Sequence, residues 1–314
     1  MNDRRFGPEG WTPERLGSLE GKTYVITGAN AGAGFEATRL LLSKGAKVVM
    51  LNRNAEKSNA AIAQLKRELG SDADVTFVRM DLAVLDSVRE AAAKIMETVS
   101  RIDALICNAA IAQVAKQEIT VDGFEIQLGV NHFGHFLLCG LLFDRIEQSA
   151  GRIVVVGSNA YKMGLKRIQF EDVNFDKNYT AWNAYAQSKL AQMMFAYELQ
   201  RRVDAAGNNV TVQVCHPGAS RTNLLKDTAS TCNKIIWAIL APVIAQSAEK
   251  GSWPEVMCVT EKEVESRKLY GPTKRSEMVG PIDECRLDDC ALDQEAAAKL
   301  WTLSEQKTSL SWSP

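Results

Sequence analysis

Short runs of β-branched and apolar residues alternate with longer helical stretches along most of this 314-residue chain. Strands are predicted at residues 23–27, 47–52, 75–80, 103–107, 152–157, 210–215 and 268–270, and helices at 32–44, 55–69, 84–99, 123–147, 183–204 and 288–306. Several strands are apolar on consecutive residues, as at 153–156, which is typical of parallel strands buried on both faces. Strands that alternate with helices join through right-handed crossovers. The sequence therefore predicts an α/β fold with one doubly wound parallel sheet of about seven strands flanked by helices.

The chain is predicted to form a single domain at residues 21–314, after an N-terminal extension at 1–20. A length of 314 residues would also suit two domains, but no stretch rich in proline, glycine and serine interrupts the chain as a linker. Residues 221–275 break the alternation of strands and helices. Ligands bind at the carboxyl ends of the strands in such sheets, so we interpret this segment as a substrate-binding insertion or lid.

Composition excludes several classes of protein. With 46% hydrophobic and 24% charged residues, the chain is neither of low complexity nor mostly disordered. The 37 basic and 38 acidic residues leave a net charge of −1, which favours neither nucleic acid nor an anionic membrane as a partner.

The seven cysteines are odd in number, scattered and without a CxxC pair, so a reducing cytoplasm is the expected location. Residues 126–143 and 235–245 are apolar, but polar side chains interrupt the first and Pro242 breaks the second. Neither is predicted to span a membrane. Residues 235–240 suit a core helix, an apolar lid or a membrane-surface contact. His132 and His135 lack an evident third ligand, so no metal site is predicted.

A glycine-rich turn joins the first predicted strand to the first helix. It carries Gly28, Gly32 and Gly34, with Asn30 and Ala31 between them. Glycines let the chain turn tightly and bring backbone N–H groups close to a pyrophosphate, and the start of the helix adds partial positive charge. The spacing, TGxxxGxG, differs from the common GxGxxG pattern. Its position after the first strand nevertheless predicts that these five residues bind a dinucleotide in a Rossmann-type sheet.

The end of the second predicted strand indicates which dinucleotide binds. A carboxylate there would bind the ribose 2′-hydroxyl of NAD, but this chain has Asn52 followed by Arg53. The planar guanidinium of Arg53 suits a 2′-phosphate, so the predicted cofactor is NADP(H); a solvated surface arginine is the alternative. Asp81, with Leu82 beside it, is a candidate for the adenine edge, although Asp81 could equally cap the next helix.

Tyr185 and Lys189 lie four residues apart on one face of a predicted helix. An ammonium group beside a phenol favours the phenolate and lowers the pKa of the tyrosine toward working pH. This pair is common by chance, but further residues follow the ends of predicted strands. They are Asn108 and Ala109 after the fourth strand, Ser158 after the fifth, and Pro217, Gly218 and Thr222 after the sixth, with Asn131 early in the helix at 123–147. All of these positions meet at one edge of a doubly wound sheet.

Together these motifs resemble the short-chain dehydrogenase/reductase superfamily and, within it, the retinol-dehydrogenase-like branch. The resemblance runs from about residue 11 to residue 304. It rests on residues 21–23, 27–34, 108–110, 131–137, the Tyr185/Lys189 pair, 216–218 and 299–301. The spacing between Ser158 and Tyr185 is also similar to that of this branch.

The resemblance implies an NADP(H)-dependent carbonyl reductase or alcohol dehydrogenase. Its partner would be a small-molecule substrate, a lipophilic ketone, aldehyde or secondary alcohol. Tyr185 would be the general acid/base, and Lys189 would lower the pKa of Tyr185 and bind the nicotinamide ribose. Ser158 would orient the substrate oxygen and stabilise charge on it. Asn131 would hold a water molecule in a proton relay.

The same resemblance assigns the cofactor cleft. Asn108 and Ala109 would line it, and Pro217, Gly218 and Thr222 would lie along the nicotinamide side. Two other activities stay open: reduction of a carbon–carbon double bond on the same scaffold, and a non-catalytic NADP-binding sensor. Helices 123–147 and 183–204 often pair between subunits in relatives, so a homodimer or homotetramer is one expectation unless the insertion blocks that pairing.

Overall fold

The computed structural model describes residues 5–219 and 246–314, which contain one eight-stranded sheet. The strand order is β3-β2-β1-β4-β5-β6-β7-β8. The strands are β1 Thr23–Thr27, β2 Lys47–Asn52, β3 Val75–Arg79, β4 Ala104–Cys107, β5 Arg152–Val156, β6 Thr211–Cys215, β7 Leu269–Lys274 and β8 Val279–Cys285. Every neighbouring pair is parallel except β7 and β8, which are antiparallel. The predicted doubly wound α/β fold is confirmed, with one strand more than expected.

Seven α-helices cover the two faces of the sheet in the described part of the chain. They are α1 Gly32–Leu42, α2 Ala55–Leu69, α3 Leu85–Thr98, α4 Ile126–Gln148, α5 Ala181–Ala206, α6 Ala248–Thr260 and α7 Gln294–Thr308. Helices α1, α2 and α6 pack in one apolar cluster, and α3, α4, α5 and α7 pack in the other. Because helices cover both faces, β1 is buried at all five of its residues.

The strand β8 and the helix α6 are the two elements that the sequence prediction lacked. Gly280 and Pro281 lie within β8, and proline is tolerated there because β8 is an edge strand. Helix α6 falls in the range interpreted as an insertion, yet its Val256 and Met257 are fully buried. Residues 246–275 therefore belong to the sheet and its helical layer. Residues 220–245, including the apolar run at 235–240, lie outside the described residues.

The described part of the N-terminal extension packs beside β8. Trp11 is fully buried, and its backbone N–H donates a 2.8 Å hydrogen bond to the carbonyl oxygen of Ile282. Its indole Nε1 donates to a carboxylate oxygen of Glu261 at 3.1 Å. The buried residues Phe6, Leu16 and Leu19 lie in the same apolar cluster as α1. Residues 5–20 thus extend the core of the sheet domain.

Helix α4 is long and apolar enough to cross a membrane by length and composition alone. Its most apolar window, however, is 83% buried inside the protein. This is the burial of a core helix, and α4 contributes Phe133, Phe136 and Leu138 to the cluster beneath α7.

The C-terminal segment covers the outer side of α4 and α5. Trp301 of α7 and Trp312 of the tail pack with ring centroids 4.9 Å apart and planes tilted by 35°, and Phe136 of α4 contacts both rings. Gly140 leaves room for this packing, because a Cβ atom there would lie 3.1 Å from the indole of Trp312. The C-terminal segment therefore covers part of the surface of α4 and α5 that was expected to pair between subunits. The homodimer or homotetramer remains a prediction.

Replacing Trp312 by alanine is expected to lower the free energy of unfolding by about 3–5 kcal/mol, because a buried indole is replaced by a cavity. Trp312 is only 6% exposed and its ring lies 5.5 Å from that of Phe143. Chemical denaturation followed by circular dichroism measures the change. The control is Leu292→Ala, since Leu292 is 46% exposed and its loss should change stability by about 0.5 kcal/mol or less. Equal effects of the two substitutions would show that the tail adds nothing to the core.

Candidate active site

The turn after β1 brings the backbone of two loops into close contact. Gly28 and Gly32 have φ angles of +68° and +59°, which favour glycine. A Cβ atom at Gly34 would lie 2.4 Å from the side-chain amide nitrogen of Asn108, so only glycine fits there. Asn30 is half-buried and Ala31 is exposed at the start of α1. Among the described residues no side chain caps the first turn of α1, and its N–H groups suit an anionic ligand.

The loop after β4 is tied to this turn. The Asn108 side-chain amide donates to the backbone carbonyl oxygens of Thr27 and Gly28, at 2.8 and 3.2 Å. The backbone N–H of Ala109 donates to Thr27 Oγ1 at 2.9 Å. Both residues therefore lie beside the glycine turn, at the predicted position of the cofactor cleft.

The end of β2 carries a buried polar side chain that lacks a partner. Asn52 is 4% exposed, and neither its amide nitrogen nor its amide oxygen finds a partner among the described residues. A buried unpaired amide is costly and suits a polar ligand at this edge. The Arg53 side chain is 74% exposed and its only ion pair in the described structure, with Asp81, is long at 3.9 Å. The guanidinium group is therefore accessible to an anion.

Asp81 does not cap the following helix. Helix α3 begins after Val84, and the Asp81 carboxylate instead accepts a 3.0 Å hydrogen bond from the backbone N–H of Ala83. This local turn leaves Asp81 half-buried beside Arg53. The side chain of Leu82 is buried, and its backbone oxygen would lie 2.6 Å from a Cβ atom at Gly134. Leu82 thus packs against α4.

Asn131 lies in a π turn at Gly129–Phe133, near the start of α4. Such turns are frequent at functional sites. The Asn131 side-chain oxygen accepts from the backbone N–H of Ile111 at 2.9 Å. Its amide nitrogen donates to the carbonyl oxygen of Ile111 at 3.0 Å and to Ser188 Oγ at 2.9 Å. The Asn131 side chain therefore joins α4, the loop after β4 and α5, and it is fully buried.

Ser158 and Tyr185 meet beyond the end of β5. Ser158 Oγ accepts a hydrogen bond from the backbone N–H of Ala160 at 3.3 Å. Burial raises the pKa of the Tyr185 phenol, and a hydrogen bond with Ser158 lowers it in part. The net direction is upward, so the phenol keeps its proton at neutral pH and can act as an acid. The sequence predicted that Lys189 would lower the pKa of Tyr185, but the pKa is raised, and the hydrogen bond that opposes the effect of burial comes from Ser158.

Lys189 lies one helical turn after Tyr185 and is 2% exposed. Its Nζ atom donates to the carbonyl oxygen of Val156 at 3.0 Å and lies 6.0 Å from the centre of the Tyr185 ring. Burial lowers the pKa of Lys189 to about 7, while Cys215 and Glu255 favour its charged form. A proton can therefore leave or join this ammonium group near neutral pH.

Glu255 is a buried acid that the sequence reasoning missed. It lies on α6 within the apolar run at 253–259, and it is fully buried. Neither carboxyl oxygen has a partner among the described residues. Burial raises the pKa of Glu255 to about 8, and the Lys189 charge lowers it in part. The sequence signal that could have identified Glu255 is a single acidic residue within a run of apolar residues.

The loop after β6 lies at the same carboxyl edge of the sheet, on the side of β7. Gly218 has a φ angle of +65°, and a Cβ atom there would lie 2.3 Å from the backbone oxygen of Met278. Its backbone N–H donates to His216 Nδ1 at 3.2 Å. Pro217 is held through its carbonyl oxygen, which accepts from the Gln246 side chain at 2.7 Å. Thr222 lies outside the described residues.

Comparison with known proteins finds similarity over nearly the whole chain. The sequence profile of the short chain dehydrogenases matches residues 22–170. Human retinol dehydrogenase 14 is 38% identical over 310 residues, covering 92% of this chain and 87% of that protein. Human retinol dehydrogenase 13 is 36% identical over 300 residues, covering 93% and 86%. The crystal structure of an uncharacterized protein from Mycobacterium paratuberculosis is 36% identical, with a TM-score of 0.79 over 96% of this chain and 99% of that one.

Proposed function

Because the chain belongs to the short-chain dehydrogenase/reductase family, and to its retinol-dehydrogenase-like branch, we propose that it is an NADP(H)-dependent oxidoreductase for lipophilic aldehydes, ketones or alcohols. One observation carries the proposal. The buried phenol of Tyr185 hydrogen-bonds to Ser158 and lies one helical turn from Lys189, at the edge where the glycine turn follows β1.

Enzymes of this family use a nicotinamide cofactor, and the residues at this edge fit a dinucleotide. The close packing at Gly28 and Gly34 leaves backbone groups for a pyrophosphate. The unpaired amide of Asn52 suits the adenosine ribose. The exposed guanidinium of Arg53 suits a 2′-phosphate, which supports NADP(H) as the cofactor.

The bound nicotinamide would supply or accept the hydride. In the reducing direction, Tyr185 donates its phenolic proton to the carbonyl oxygen of the substrate. Ser158 donates a hydrogen bond to the same oxygen and stabilises the negative charge that develops on it. Lys189, with a pKa near 7, returns a proton to the phenolate. Asn131 holds the start of α4 and the loop after β4 in place around these groups.

Apolar residues around the phenol support a lipophilic substrate. Ala112 and Ala160 form a small apolar cluster with Tyr185. The Trp182 ring, which is 38% exposed, lies with its centre 6.4 Å from that of Tyr185. A site with apolar walls and few polar groups binds a mainly apolar molecule. The named relatives are retinol dehydrogenases, so a long conjugated aldehyde or alcohol is the substrate to test first.

We propose that the protein acts in the cytoplasm. The six cysteines among the described residues are free, and Cys107 and Cys139, whose sulfur atoms are 3.6 Å apart, are not bonded to each other. Free cysteines suit a reducing compartment.

The direct test of the proposed activity is oxidation of NADPH in the presence of apolar aldehydes and ketones, with NADH in parallel.

Replacing Asn52 by aspartate and Arg53 by alanine is expected to shift the ratio of NADPH to NADH affinity toward NADH by about 10- to 100-fold. The reason is the loss of a charge-assisted hydrogen bond to the 2′-phosphate, which contributes about 1.5–3 kcal/mol. Cofactor fluorescence titration measures both affinities. Arg67→Ala, at an exposed position of α2, is the control and should leave the ratio as it is. An unaltered ratio in the double variant would refute the assignment of NADP(H).

A further inference from the structure

His132 and His135 lie three residues apart on α4, and each imidazole has its own hydroxyl partner. His132 Nε2 lies 2.8 Å from Ser304 Oγ on α7. His135 Nε2 lies 2.9 Å from Thr27 Oγ1 at the end of β1. Over residues 5–219 and 246–314, no group of three His, Cys, Asp or Glu side chains could hold a metal ion. The two histidines therefore have different surroundings, and His135 is the one that faces the candidate site.

Both ring nitrogens of His135 are in hydrogen bonds, and their directions follow from the partners. His135 Nδ1 lies 3.0 Å from the backbone carbonyl oxygen of Asn131. A carbonyl oxygen only accepts, so Nδ1 carries the proton and donates it. In a neutral imidazole Nε2 is then the acceptor, and the Thr27 hydroxyl donates to it. The other acceptor for that hydroxyl, the carbonyl oxygen of Ile106, is more distant at 3.4 Å.

The chain of hydrogen bonds continues into the predicted cofactor cleft. Thr27 Oγ1 also accepts from the backbone N–H of Ala109 at 2.9 Å. The backbone oxygen of Thr27 in turn accepts from the Asn108 side chain. His135 thus connects the Asn131 peptide on α4 to the end of β1 and to the loop after β4. Thr27 is fully buried and His135 is 2% exposed, so water does not compete for these bonds.

A protonated ring has two donors and no acceptor, so it could bond to Thr27 only as a donor, and the Thr27 hydroxyl would then have to turn to the more distant carbonyl oxygen of Ile106. Burial lowers the pKa of His135 to about 4, and this effect exceeds the opposing hydrogen bonds to the backbone oxygens of Asn131 and Val130. The ring is therefore neutral at physiological pH.

We propose that His135 is a positioning residue that fixes the cofactor turn and the Asn131 peptide relative to each other. The inference rests on the proposed function, since it concerns how the same site is held. It also limits how Asn131 can act. The Asn131 side chain is committed to Ile111 and Ser188, and one lone pair of its backbone oxygen is committed to His135. Both N–H groups of the Asn131 amide are thereby used, so a relay water at Asn131 would have to donate a hydrogen bond to an oxygen atom of this residue.

The test compares the same substitution, histidine to leucine, at two positions of helix α4. His135→Leu removes the donor and the acceptor, and it is expected to weaken NADPH binding and to lower kcat by about tenfold each. A tenfold change corresponds to about 1.4 kcal/mol, which the loss of these hydrogen bonds can account for. The KM for the carbonyl substrate should stay within about twofold, because no substrate contact is lost. His132→Leu is the control: it should lower the melting temperature but leave cofactor affinity and kcat within about twofold. Fluorescence titration with NADPH alone measures binding independently of turnover.

Two further variants guard against a His135→Leu protein that does not fold. His135→Gln keeps one donor and one acceptor on a planar amide and should hold cofactor affinity within about threefold of the unaltered protein. Thr27→Val removes the other end of the hydrogen bond and should reproduce the loss of affinity. Unchanged affinity in both His135→Leu and Thr27→Val, or an equal loss in His132→Leu, would overturn the inference. An unaltered protein that binds neither NADPH nor NADH would instead refute the proposed function itself.

Discussion

Replacing Tyr185 by phenylalanine is expected to lower kcat for carbonyl reduction by about 10²- to 10⁴-fold, the range that a positioned general acid contributes. The phenylalanine ring keeps the apolar contacts with Ala112 and Ala160, so the pocket should retain its shape. What is lost is the phenolic proton, which burial keeps on the oxygen by raising the pKa of Tyr185. Affinity for NADPH should change by less than about threefold, because the remaining residues of the cofactor cleft are intact.

A second tyrosine of α5 provides the matched control. Tyr197 and Tyr185 are each 8% exposed, but the Tyr197 hydroxyl donates to the backbone oxygen of Lys268 at 3.4 Å, near the start of β7. Tyr197→Phe should therefore leave kcat within about twofold. Turnover retained by Tyr185→Phe, or lost equally in both variants, would contradict the role of Tyr185 as the acid.

Ser158→Ala is expected to lower kcat by about 10²- to 10³-fold, the cost of losing one hydrogen-bond donor to a developing oxyanion. It should also change the pH profile. The hydrogen bond with Ser158 lowers the pKa of Tyr185, so its removal moves that pKa further upward. Reduction needs the protonated phenol, so its alkaline limb should move to higher pH. Oxidation needs the phenolate, so its activity should rise only at higher pH than in the unaltered protein.

Steady-state rates in both directions across pH measure this shift. Ser58→Ala is the control, because Ser58 is a buried serine on α2, where its hydroxyl donates to the backbone oxygen of Asn54, away from Tyr185. That substitution should leave the pH profile in place. A Ser158→Ala protein whose alkaline limb for reduction moves to lower pH would contradict the hydrogen bond that the structure gives to Tyr185.

Much of the sheet could be predicted because parallel strands buried on both faces are apolar on consecutive residues. The strands β2 and β5 show this pattern clearly. Because Arg53 and Ser158 follow these two strands in the sequence, their position at the carboxyl edge of the sheet could be predicted. The strand β8 could not be found in this way, since its glycine, proline and acidic residues carry no strand pattern. It forms because it pairs with β7 and lies at an edge where proline is tolerated.

The parts of the candidate site that escaped prediction are contacts between distant polar atoms. The helix predicted at 123–147 contains His135, but residue pattern could not show that Nδ1 meets Asn131 while Nε2 meets Thr27. The π turn at Gly129–Phe133 was likewise hidden inside one predicted helix. Glu255 is buried by the packing of α6 against the sheet, which was itself unpredicted. Side-chain partners of this kind depend on tertiary packing, which residue pattern alone does not encode.

The central claim, hydride transfer from NADPH to a carbonyl carbon, is tested most directly with one conjugated substrate. A long α,β-unsaturated aldehyde contains both a carbonyl group and a carbon–carbon double bond. NADPH carrying deuterium at the transferable position is supplied, and mass spectrometry with NMR locates the label in the product. We predict deuterium on the carbinol carbon with the double bond intact, and a slower reaction with labelled NADH. Deuterium on an alkene carbon with the aldehyde retained, or tight NADPH binding without any transfer of label, would contradict the proposed function.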